Sequence, residues 1–189
     1  MKKFKEIKPF SRTGSNPETR ENEKAAVEVV NRKFHRDNIT IIMDDKNAFA
    51  YGHLDIRGDV IGEAGSHFML DERTYDEVNS DAYESNRQDI LDSGIIEQTN
   101  DPLLGEFTED CNLGKLSRAT AIINTKTDPN GWKAWTTQDG VSMAEHRLEA
   151  YYEILKIKSS GIIESKVPKG SRVDSMELVI REAVKRMSV

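Results

Sequence analysis

The sequence lacks several features that would place it in a specialised class of proteins. It has a single cysteine, Cys111, in 189 residues, which excludes an internal disulfide and a cysteine-based zinc cluster. No apolar run approaches the roughly 20 residues that cross a bilayer. The charged first eight residues are not followed by the apolar stretch of a signal peptide. We therefore expect a soluble, cytoplasmic protein with no membrane partner.

The sequence also lacks a complete catalytic motif. Gly62-Glu-Ala-Gly65 is rich in glycine but has neither the lysine nor the spacing of a phosphate-binding loop, so we interpret it as a bend at the end of a strand. His53, Asp55 and His67 offer three side chains that can ligate a metal, but no further fixed ligand accompanies them. We expect neither a cofactor nor a bound metal.

Acidic residues in predicted turns leave a metal-dependent nuclease open as an alternative. They are Asp44, Asp45, Asp55 and Asp59. Aspartates at such positions are explained more simply as turn formers, and no nucleophile or phosphate loop accompanies them. The sequence therefore favours a non-catalytic protein over an enzyme.

The net charge of −6 is unevenly distributed along the chain. Residues 1–38 carry ten Lys or Arg and six Asp or Glu, and residues 112–189 carry thirteen and nine. Residues 71–110 carry thirteen Asp or Glu but only two basic residues, Arg73 and Arg87. The basic ends suit contact with phosphate, whereas the acidic middle is either a solvated face or a surface for a basic protein.

The periodicity of apolar residues predicts an α+β fold with a small, mostly antiparallel sheet packed with several helices. Asn16-Pro-Glu18 has the order of an N-cap, an N1 proline and an early acid, and predicts a helix to about His35. Ile39–Met43, Ala48–Leu54 and Asp59–Gly62 predict a three-stranded meander with a four-residue first loop.

Further elements complete the predicted organisation. A helix is predicted near Asp81–Leu91, ending at a glycine before a short strand, and the string at 157–164 has the same pattern. An amphipathic stripe predicts a last helix after Gly170. The predicted division is a basic arm and N-terminal helix (1–38), an α+β core (39–158) and a C-terminal strand and helix (159–189).

The centre of the predicted core is the stretch that holds both tryptophans. Ser117 is the predicted N-cap of a short helix, Trp132–Thr136 reads as a strand after a Pro-Asn-Gly turn, and Ser142 with Glu145 has the spacing of a capping box. On one strand, Trp132 and Trp135 would face opposite sides. We therefore expect at least one of them in the core, and an exposed one would offer a stacking platform.

These segments together resemble a known family. They are Gly65-Ser66, Arg87–Ile96, Phe107-Thr-Glu-Asp110, Ser117–Ile123, Asn130-Gly-Trp-Lys-Ala-Trp135 and Asp139-Gly140. In this order, over residues 39–150, the sequence resembles the domain-of-unknown-function family numbered 4357. The resemblance implies association with GIY-YIG nucleases and restriction–modification proteins, and implies no catalytic residues. The sequence departs from the family pattern at Leu116, Arg118, Thr120 and Thr125, where proline, two alanines and glycine are usual.

We therefore expect a non-catalytic recognition module that binds nucleic acid or a nucleic-acid-processing protein. A basic arm and an exposed aromatic or cationic side chain would make the contact. The predicted nucleic-acid-binding residues are Lys2, Lys3, Lys5, Lys8, Arg12, Lys133 and Trp135.

A different class of function is also open. The acidic segment would attract a basic groove, as in a DNA-mimic-like inhibitor of a nucleic-acid-binding protein, for example one used in phage counter-defence. The predicted protein-binding residues are Asp76, Glu77, Asp81 and Glu84. The stripe on the last helix must dock on the domain or on another chain, which allows a homo-oligomer.

Overall fold

The structure of the chain is a computed structural model that describes residues 10, 16–45, 48–70, 80–124, 130–163 and 175–187, except the side chains of residues 45 and 80–84. Within these segments the helices are α1 (Pro17–Arg36), α2 (Ser80–Asp92), α3 (Leu116–Asn124), α4 (Gly131–Ala134), α5 (Met143–Ser159) and α6 (Ser175–Arg186). Every helix described there is too short or too polar to span a bilayer.

The described strands form two antiparallel sheets. They are β1 (Ile41–Asp45), β2 (Ala48–Leu54), β3 (Val60–Gly62), β4 (His67–Met69), β5 (Ile96–Gln98), β6 (Leu104–Phe107), β7 (Cys111–Gly114) and β8 (Trp135–Thr137). The larger sheet has the order β7-β3-β2-β1-β8, and the smaller has the order β4-β6-β5. All neighbouring strands are antiparallel, which confirms the predicted α+β class.

The first helix begins where the sequence predicts. The side-chain oxygen of Asn16 accepts a hydrogen bond from the amide of Thr19 at 2.8 Å, which satisfies one of the unpaired donors of the first turn. Pro17 is the first residue of α1, where its missing N–H has no cost.

The predicted meander is confirmed and forms the middle of the larger sheet. Ile41 pairs with Gly52 across β1 and β2, and Gly52 pairs with Gly62 across β2 and β3. The pairing of Asp45 with Ala48 makes the first loop shorter than predicted. Strands β7 and β8 add to the two edges of the sheet; β8 overlaps the predicted strand at Trp132–Thr136, whereas β7 is not predicted from the sequence.

Helix α3 is the central element of the fold. All of its residues except Ser117 and Arg118 are buried, and it packs on β2, β3, β4 and β7 as well as on α2 and α4. The predicted N-cap at Ser117 is wrong. The amide of Ala119 donates to the carbonyl of Lys115 at 2.8 Å, so the helix has already begun at Leu116 and Ser117 lies inside it.

The predicted strand at Trp132–Thr136 is also partly wrong. The amides of Lys133 and Ala134 both donate to the carbonyl of Asn130, at 2.9 and 3.0 Å, and this closes the helical turn α4. Strand β8 begins only at Trp135, which pairs with Met43 of β1. The two tryptophans therefore lie on different elements rather than on opposite faces of one strand.

The two repeated strings have different structures after their glycines. Gly94 follows α2 with φ +75° and β5 begins at Ile96, which confirms the predicted glycine stop and short strand. Gly161 has φ +66°, but Ile162 and Ile163 continue in helical conformation. The strand predicted at this second site is wrong for the described residues.

By packing, the chain divides into two compact units, residues 34–144 and residues 1–33 with 145–189. The domain boundaries predicted at residues 38 and 158 stay a prediction. Residues 34–144 carry nine Lys or Arg and 21 Asp or Glu, whereas the other unit carries eighteen and twelve. Both basic ends of the sequence thus belong to one unit, and the acidic middle belongs to the other.

In the basic unit, α1 and α6 are joined by a two-pronged ion pair. The guanidinium of Arg32 donates to both carboxylate oxygens of Glu177, at 2.8 and 3.0 Å. The predicted stripe of α6 is confirmed at three positions, Ile180, Ala183 and Val184, which are buried together with Val179. Because these side chains are buried within one chain, a homo-oligomer through this helix would need another face and stays a prediction.

Candidate functional site

Trp135 is a core residue. Its side chain is 0% exposed, and its indole N–H donates to the hydroxyl of Thr120 at 3.0 Å. The Thr120 hydroxyl donates in turn to the carbonyl of Leu116 at 2.8 Å. The expectation of a buried tryptophan is confirmed. The prediction that Trp135 contacts nucleic acid is wrong, because no face of its ring is open to a base.

Gly131 allows α4 to lie directly on the first turn of α3. A Cβ at this position would lie far inside van der Waals distance of the backbone of Leu116 and of the amide nitrogen of Ser117. The amide of Gly131 donates to the Ser117 hydroxyl at 3.3 Å. Ser117 therefore helps to hold α4 in place instead of capping α3.

Ser66 connects the two sheets. Its buried hydroxyl accepts a hydrogen bond from the amide of Tyr51 at 3.0 Å and donates to the carbonyl of the same residue at 3.1 Å. The backbone of Gly65 and Ser66 bonds to the backbone of Phe107 on β6. Because Gly65 has φ +86°, the left-handed conformation at this junction favours glycine.

Arg87 is a buried cation that joins α2 to α3. It is 4% exposed, and its guanidinium lies 4.0 Å from the centre of the Phe68 ring. It donates to the carbonyl of Ile122 at 2.7 Å. This carbonyl lies in the last turn of α3, where a positive charge interacts favourably with the helix dipole.

A groove of about 520 Å³ opens between α2, β7 and the start of α3. Three buried apolar side chains, Ile90, Leu113 and Ile122, contribute to its lining. Polar and charged residues from all three elements complete it, namely Asp59, Asn86, Asp89, Asn112, Lys115 and Arg118. A concave, partly apolar site with a few convergent polar groups is the usual form of a small-ligand site.

Arg118 is an exposed cation of this groove. Its aliphatic part passes over Gly114, where an added Cβ would lie 2.8 Å from the Arg118 Cδ. Gly114 also has φ +75°, so the position favours glycine for two reasons. Within the described residues the Arg118 guanidinium has no hydrogen-bond or ion-pair partner, which leaves its donors available to an anion.

Lys115 stands beside Arg118 but its charge is engaged. Its ammonium group lies 2.9 Å from the carboxylate of Asp59 and donates to the carbonyl of Arg57. This pair holds the turn between β2 and β3 against the start of α3. Asp59 is thereby neutralised, and Asp89 on α2 is the second acidic residue of the groove.

The part of the chain that contains the groove matches a known protein family. A family model described as a domain of unknown function (DUF4357) matches residues 41–147, more than half of the chain. The chain belongs to this family. No match to a curated protein or to a solved structure reached significance. All residues of the groove lie within the part that matches DUF4357.

The residues that carry the resemblance to DUF4357 have structural roles in this chain. Ser66, Arg87, Ser117, Gly131 and Trp135 each form a hydrogen bond inside the unit of residues 34–144. The DUF4357 pattern in this chain therefore records how the fold is held together.

The other predicted contact residues fall into three groups. Lys133 is exposed on α4, as a contact with phosphate requires. Asp81 and Glu84 lie in α2 with side chains outside the described part. The remaining predicted residues lie outside the described residues altogether, so their roles stay predictions: Lys2, Lys3, Lys5, Lys8, Arg12, Asp76 and Glu77.

Two of the four acids considered for catalysis, Asp55 and Asp59, have local structural roles. The carboxylate of Asp55 accepts hydrogen bonds from the amides of Arg57 and Asp59, both at 2.8 Å, so it forms the turn between β2 and β3. His53 lies 3.4 Å from the carboxylate of Glu63. Among the described residues, no group of three or more His, Cys, Asp or Glu is placed to hold a metal ion.

The environment of Cys111 disfavours its thiolate form. Its side chain is partly buried on β7, and burial raises the pKa of its thiol above the ordinary value. The thiolate is the nucleophilic form, so a raised pKa lowers the reactive fraction at neutral pH.

Reasoning from the sequence missed the groove. Its polar residues Asn86, Asp89, Asn112 and Arg118 are spread over 33 positions on three elements, and no spacing motif connects them. The sequence did contain one feature that points to the groove. Arg118 and Thr120 both replace alanines of the family pattern. In the structure Thr120 is buried, whereas Arg118 is exposed.

Proposed function

We propose that the protein is a non-catalytic recognition module for nucleic acid, and that the groove beside Arg118 is a contact site. The observation that carries this proposal is the exposed Arg118 guanidinium, which has no internal partner in the described structure and stands next to an apolar-lined groove. A planar guanidinium with free donors matches phosphate oxygens, which it can bind in a bidentate manner.

The lining of the groove adds polar groups beside the Arg118 guanidinium. The side chain of Asn112 is exposed, and its amide oxygen accepts a hydrogen bond from the amide of Gly114 at 2.8 Å, so its N–H groups are what it offers to a ligand. Ile90, Leu113 and Ile122 are 8%, 1% and 1% exposed and close the floor of the groove. The groove therefore suits the phosphate and the polar edge of a nucleotide rather than the flat face of a base.

The charge of each unit limits the mode of binding. With 21 acidic and nine basic residues in positions 34–144, this unit repels the backbone of a long duplex. Few phosphates are therefore neutralised, and affinity should depend weakly on salt, with a slope of about −0.7 per phosphate for a single strand.

The basic segments outside the described residues are the second proposed source of phosphate contacts. Lys2, Lys3, Lys5, Lys8 and Arg12 precede α1, and Lys166, Lys169 and Arg172 precede α6. Neutralising Lys2, Lys3 and Lys5 should lower the salt slope further. Lys133 on α4 is exposed and is a third such contact.

Family resemblance adds associational support. The resemblance to family 4357 implies association with GIY-YIG nucleases and restriction–modification proteins, which act on nucleic acid. Such an association is consistent with a nucleic-acid ligand.

Binding of fluorescent oligonucleotides, measured by anisotropy at several salt concentrations, tests the proposal. Arg118→Gln should weaken binding and reduce the salt slope. Arg36→Gln is the matched control, because Arg36 is an exposed arginine already paired with Asp37 at 2.7 Å. Equal binding by the Arg118→Gln and Arg36→Gln variants, or no binding by the wild-type protein, would contradict the proposal.

A second candidate function is favoured by the charge of residues 34–144. This unit would suit an acidic inhibitor that occupies the basic groove of a nucleic-acid-acting protein, such as a phage counter-defence protein. Neutralising Asp76, Glu77, Asp81 and Glu84 should then slow association with that partner, while Arg118→Gln should leave it unchanged. The two sets of substitutions have opposite outcomes, so a pull-down with each separates the two functions.

A further inference from the structure

The turn between β2 and β3 exposes an apolar side chain to solvent. Ile56 in this turn is 66% exposed, more than Leu103 and Tyr152, the other large exposed hydrophobic residues of the described structure, at 43% and 48%. Single exposed apolar residues are common on protein surfaces, so exposure alone does not indicate a binding site. The surroundings of Ile56 supply the further observations.

The backbone on either side of Ile56 is held by hydrogen bonds. The carboxylate of Asp55 accepts bonds from the amides of Arg57 and Asp59, both at 2.8 Å, and the amide of Asp55 donates to the carbonyl of Asp59 at 2.9 Å. Lys115 binds the turn from the start of α3, through the carbonyl of Arg57 and the carboxylate of Asp59. Ile56 therefore lies on a pre-organised turn, and a ligand that binds it pays little to order the backbone.

Cations are concentrated beside this turn. Three of the nine Lys and Arg residues of positions 34–144 lie here and are exposed, namely Arg57, Lys115 and Arg118. Lys115 contacts the carbonyl of Arg57, and the side chain of Arg118 passes over Gly114, the residue before Lys115. The three cations therefore share one continuous surface with the groove, which Lys115 and Arg118 both line.

The two arginines of this surface have free charges. Within the described residues, the guanidinium of Arg57 has no hydrogen-bond or ion-pair partner, and neither has that of Arg118. The acids of the turn are engaged, Asp59 with Lys115 and Asp55 with the two backbone amides. In a unit that is acidic as a whole, this surface is therefore complementary to an anionic partner.

A surface with two free guanidinium groups and an exposed aliphatic side chain fits a single strand of nucleic acid. Arginine binds phosphate oxygens, and isoleucine is among the apolar side chains that contact the faces of bases at unstacked positions. The floor of the groove offers no such contact, because its apolar residues are buried. A base that is paired and stacked in a duplex does not present its face, whereas a base in a single strand does.

We infer that the turn between β2 and β3 extends the Arg118 site into a surface for single-stranded nucleic acid, with Arg57 and Arg118 on the phosphates and Ile56 on the face of an unstacked base. This inference rests on the proposed function and adds a contact to bases that the groove does not provide.

The test uses the full chain and two fluorescent strands with the same number of phosphates. One is an oligothymidylate, and the other is its analogue built from stable abasic sugars. The wild-type protein should bind the oligothymidylate more tightly, because only this strand has bases. Ile56→Ser should weaken binding of the oligothymidylate about tenfold, as the loss of one aliphatic contact implies, and should leave binding of the abasic strand unchanged. Ile56→Leu, which keeps the apolar surface, should bind like the wild type.

Leu103→Ser is the matched control for Ile56→Ser. Leu103 is an exposed apolar residue between β5 and β6 in the same unit, and its amide is bonded to the carboxylate of Asp101 at 2.9 Å. It thus lies on a comparable turn with an acid beside it, and Leu103→Ser should not change binding of either strand.

Arg57→Gln tests the phosphate contact of the turn. It should weaken binding of both strands by a similar factor and lower the salt slope by about 0.7, the value for one phosphate of a single strand. Arg36→Gln is the control, because Arg36 is already paired with Asp37.

The failures of the two proposals are distinguishable. If Ile56→Ser binds the oligothymidylate like the wild type, or weakens both strands equally, the base contact is overturned. If Arg57→Gln changes nothing while Arg118→Gln weakens binding, the extension to the turn is overturned and the proposed function stands. Absence of binding by the wild-type protein overturns both. Because Ile56 and Arg57 are exposed, the thermal unfolding of their variants should match that of the wild type.

Discussion

The indole nitrogen of Trp135 lies 3.0 Å from the hydroxyl oxygen of Thr120, and both side chains are buried. This bond fixes the one polar atom of the largest buried side chain in the described core. It also links β8 to α3, since the Thr120 hydroxyl donates onward to Leu116 in the first turn of that helix.

Thr120→Val should destabilise the protein by about 2 kcal/mol. The change keeps the shape of the side chain but leaves the Trp135 N–H buried without an acceptor, and an unsatisfied buried donor costs about 1–3 kcal/mol. Urea unfolding measures the change. In the double variant with Trp135→Phe, which has no N–H, the effect of Thr120→Val should be much smaller. An equal effect in both backgrounds would contradict the role of this bond.

Gly131→Ala should destabilise the protein by about 2 kcal/mol or more. Alanine normally stabilises a helix by about 1 kcal/mol relative to glycine. A decrease in the free energy of unfolding would therefore report the close contact of Gly131 with Leu116 and Ser117. Gly140→Ala is the control for backbone strain alone, because Gly140 has φ +81° and no atom within 4 Å of an added Cβ. Thermal unfolding should show a larger loss for Gly131→Ala, and the reverse order would contradict the packing of α4.

Arg87→Ala should destabilise the protein by about 3 kcal/mol. It removes a buried cation over the Phe68 ring and the donor to the Ile122 carbonyl, interactions each worth about 1–2 kcal/mol or more when desolvated. Arg87→Lys should recover part of the loss, since it keeps the charge but not the planar group. The neighbouring exposed Gln88→Ala should change the unfolding midpoint little, and a comparable effect there would contradict a specific role for Arg87.

Glu177 should make stability depend on pH in the acid range. The hydrogen bond from Arg32 holds the pKa of the Glu177 carboxyl below its ordinary value of 4.5. A carboxyl with a depressed folded pKa stabilises the fold fully above the unfolded pKa, and this contribution is lost as pH falls through the folded pKa. Because the pair is partly exposed, it should contribute about 1 kcal/mol.

Glu177→Gln tests this pH dependence. Above pH 5 the variant should unfold more easily than the wild type, and the difference should shrink as the pH falls below about 4.5. Glu21→Gln is the control, because Glu21 is an exposed carboxylate of α1 without an ion pair among the described residues. A difference between wild type and Glu177→Gln that stays constant down to low pH would contradict the assigned pair.

The parts of the fold that the sequence predicts correctly depend on interactions between near neighbours in the chain. The start of α1 follows from Asn16 and the amide three residues later, and the end of α2 follows from the left-handed conformation of Gly94. The meander follows from three β-rich segments with short connections. Such capping and turn preferences act over a few residues, so one sequence is enough to identify them.

The errors occur where a distant residue decides the local structure. The sequence from Trp132 to Trp135 is interpreted as one strand. In the structure, the carbonyl of Asn130 closes a helical turn. This turn packs through Gly131 on Leu116, fifteen positions earlier in the chain. The same packing uses the Ser117 hydroxyl as an acceptor for Gly131, so it no longer caps α3. Local propensity is weak beside such tertiary contacts.

The sequence by itself determined the composition of charge along the chain and the family pattern that specifies the core. Only the tertiary structure decided that both basic ends belong to one unit and that Trp135 is closed to any ligand. The groove also forms only in the tertiary structure, because Asp89, Asn112 and Arg118 lie on a helix, a strand and a second helix. In the fold, the buried Arg87 joins α2 to α3, and β7 pairs with β3 at the edge of the sheet.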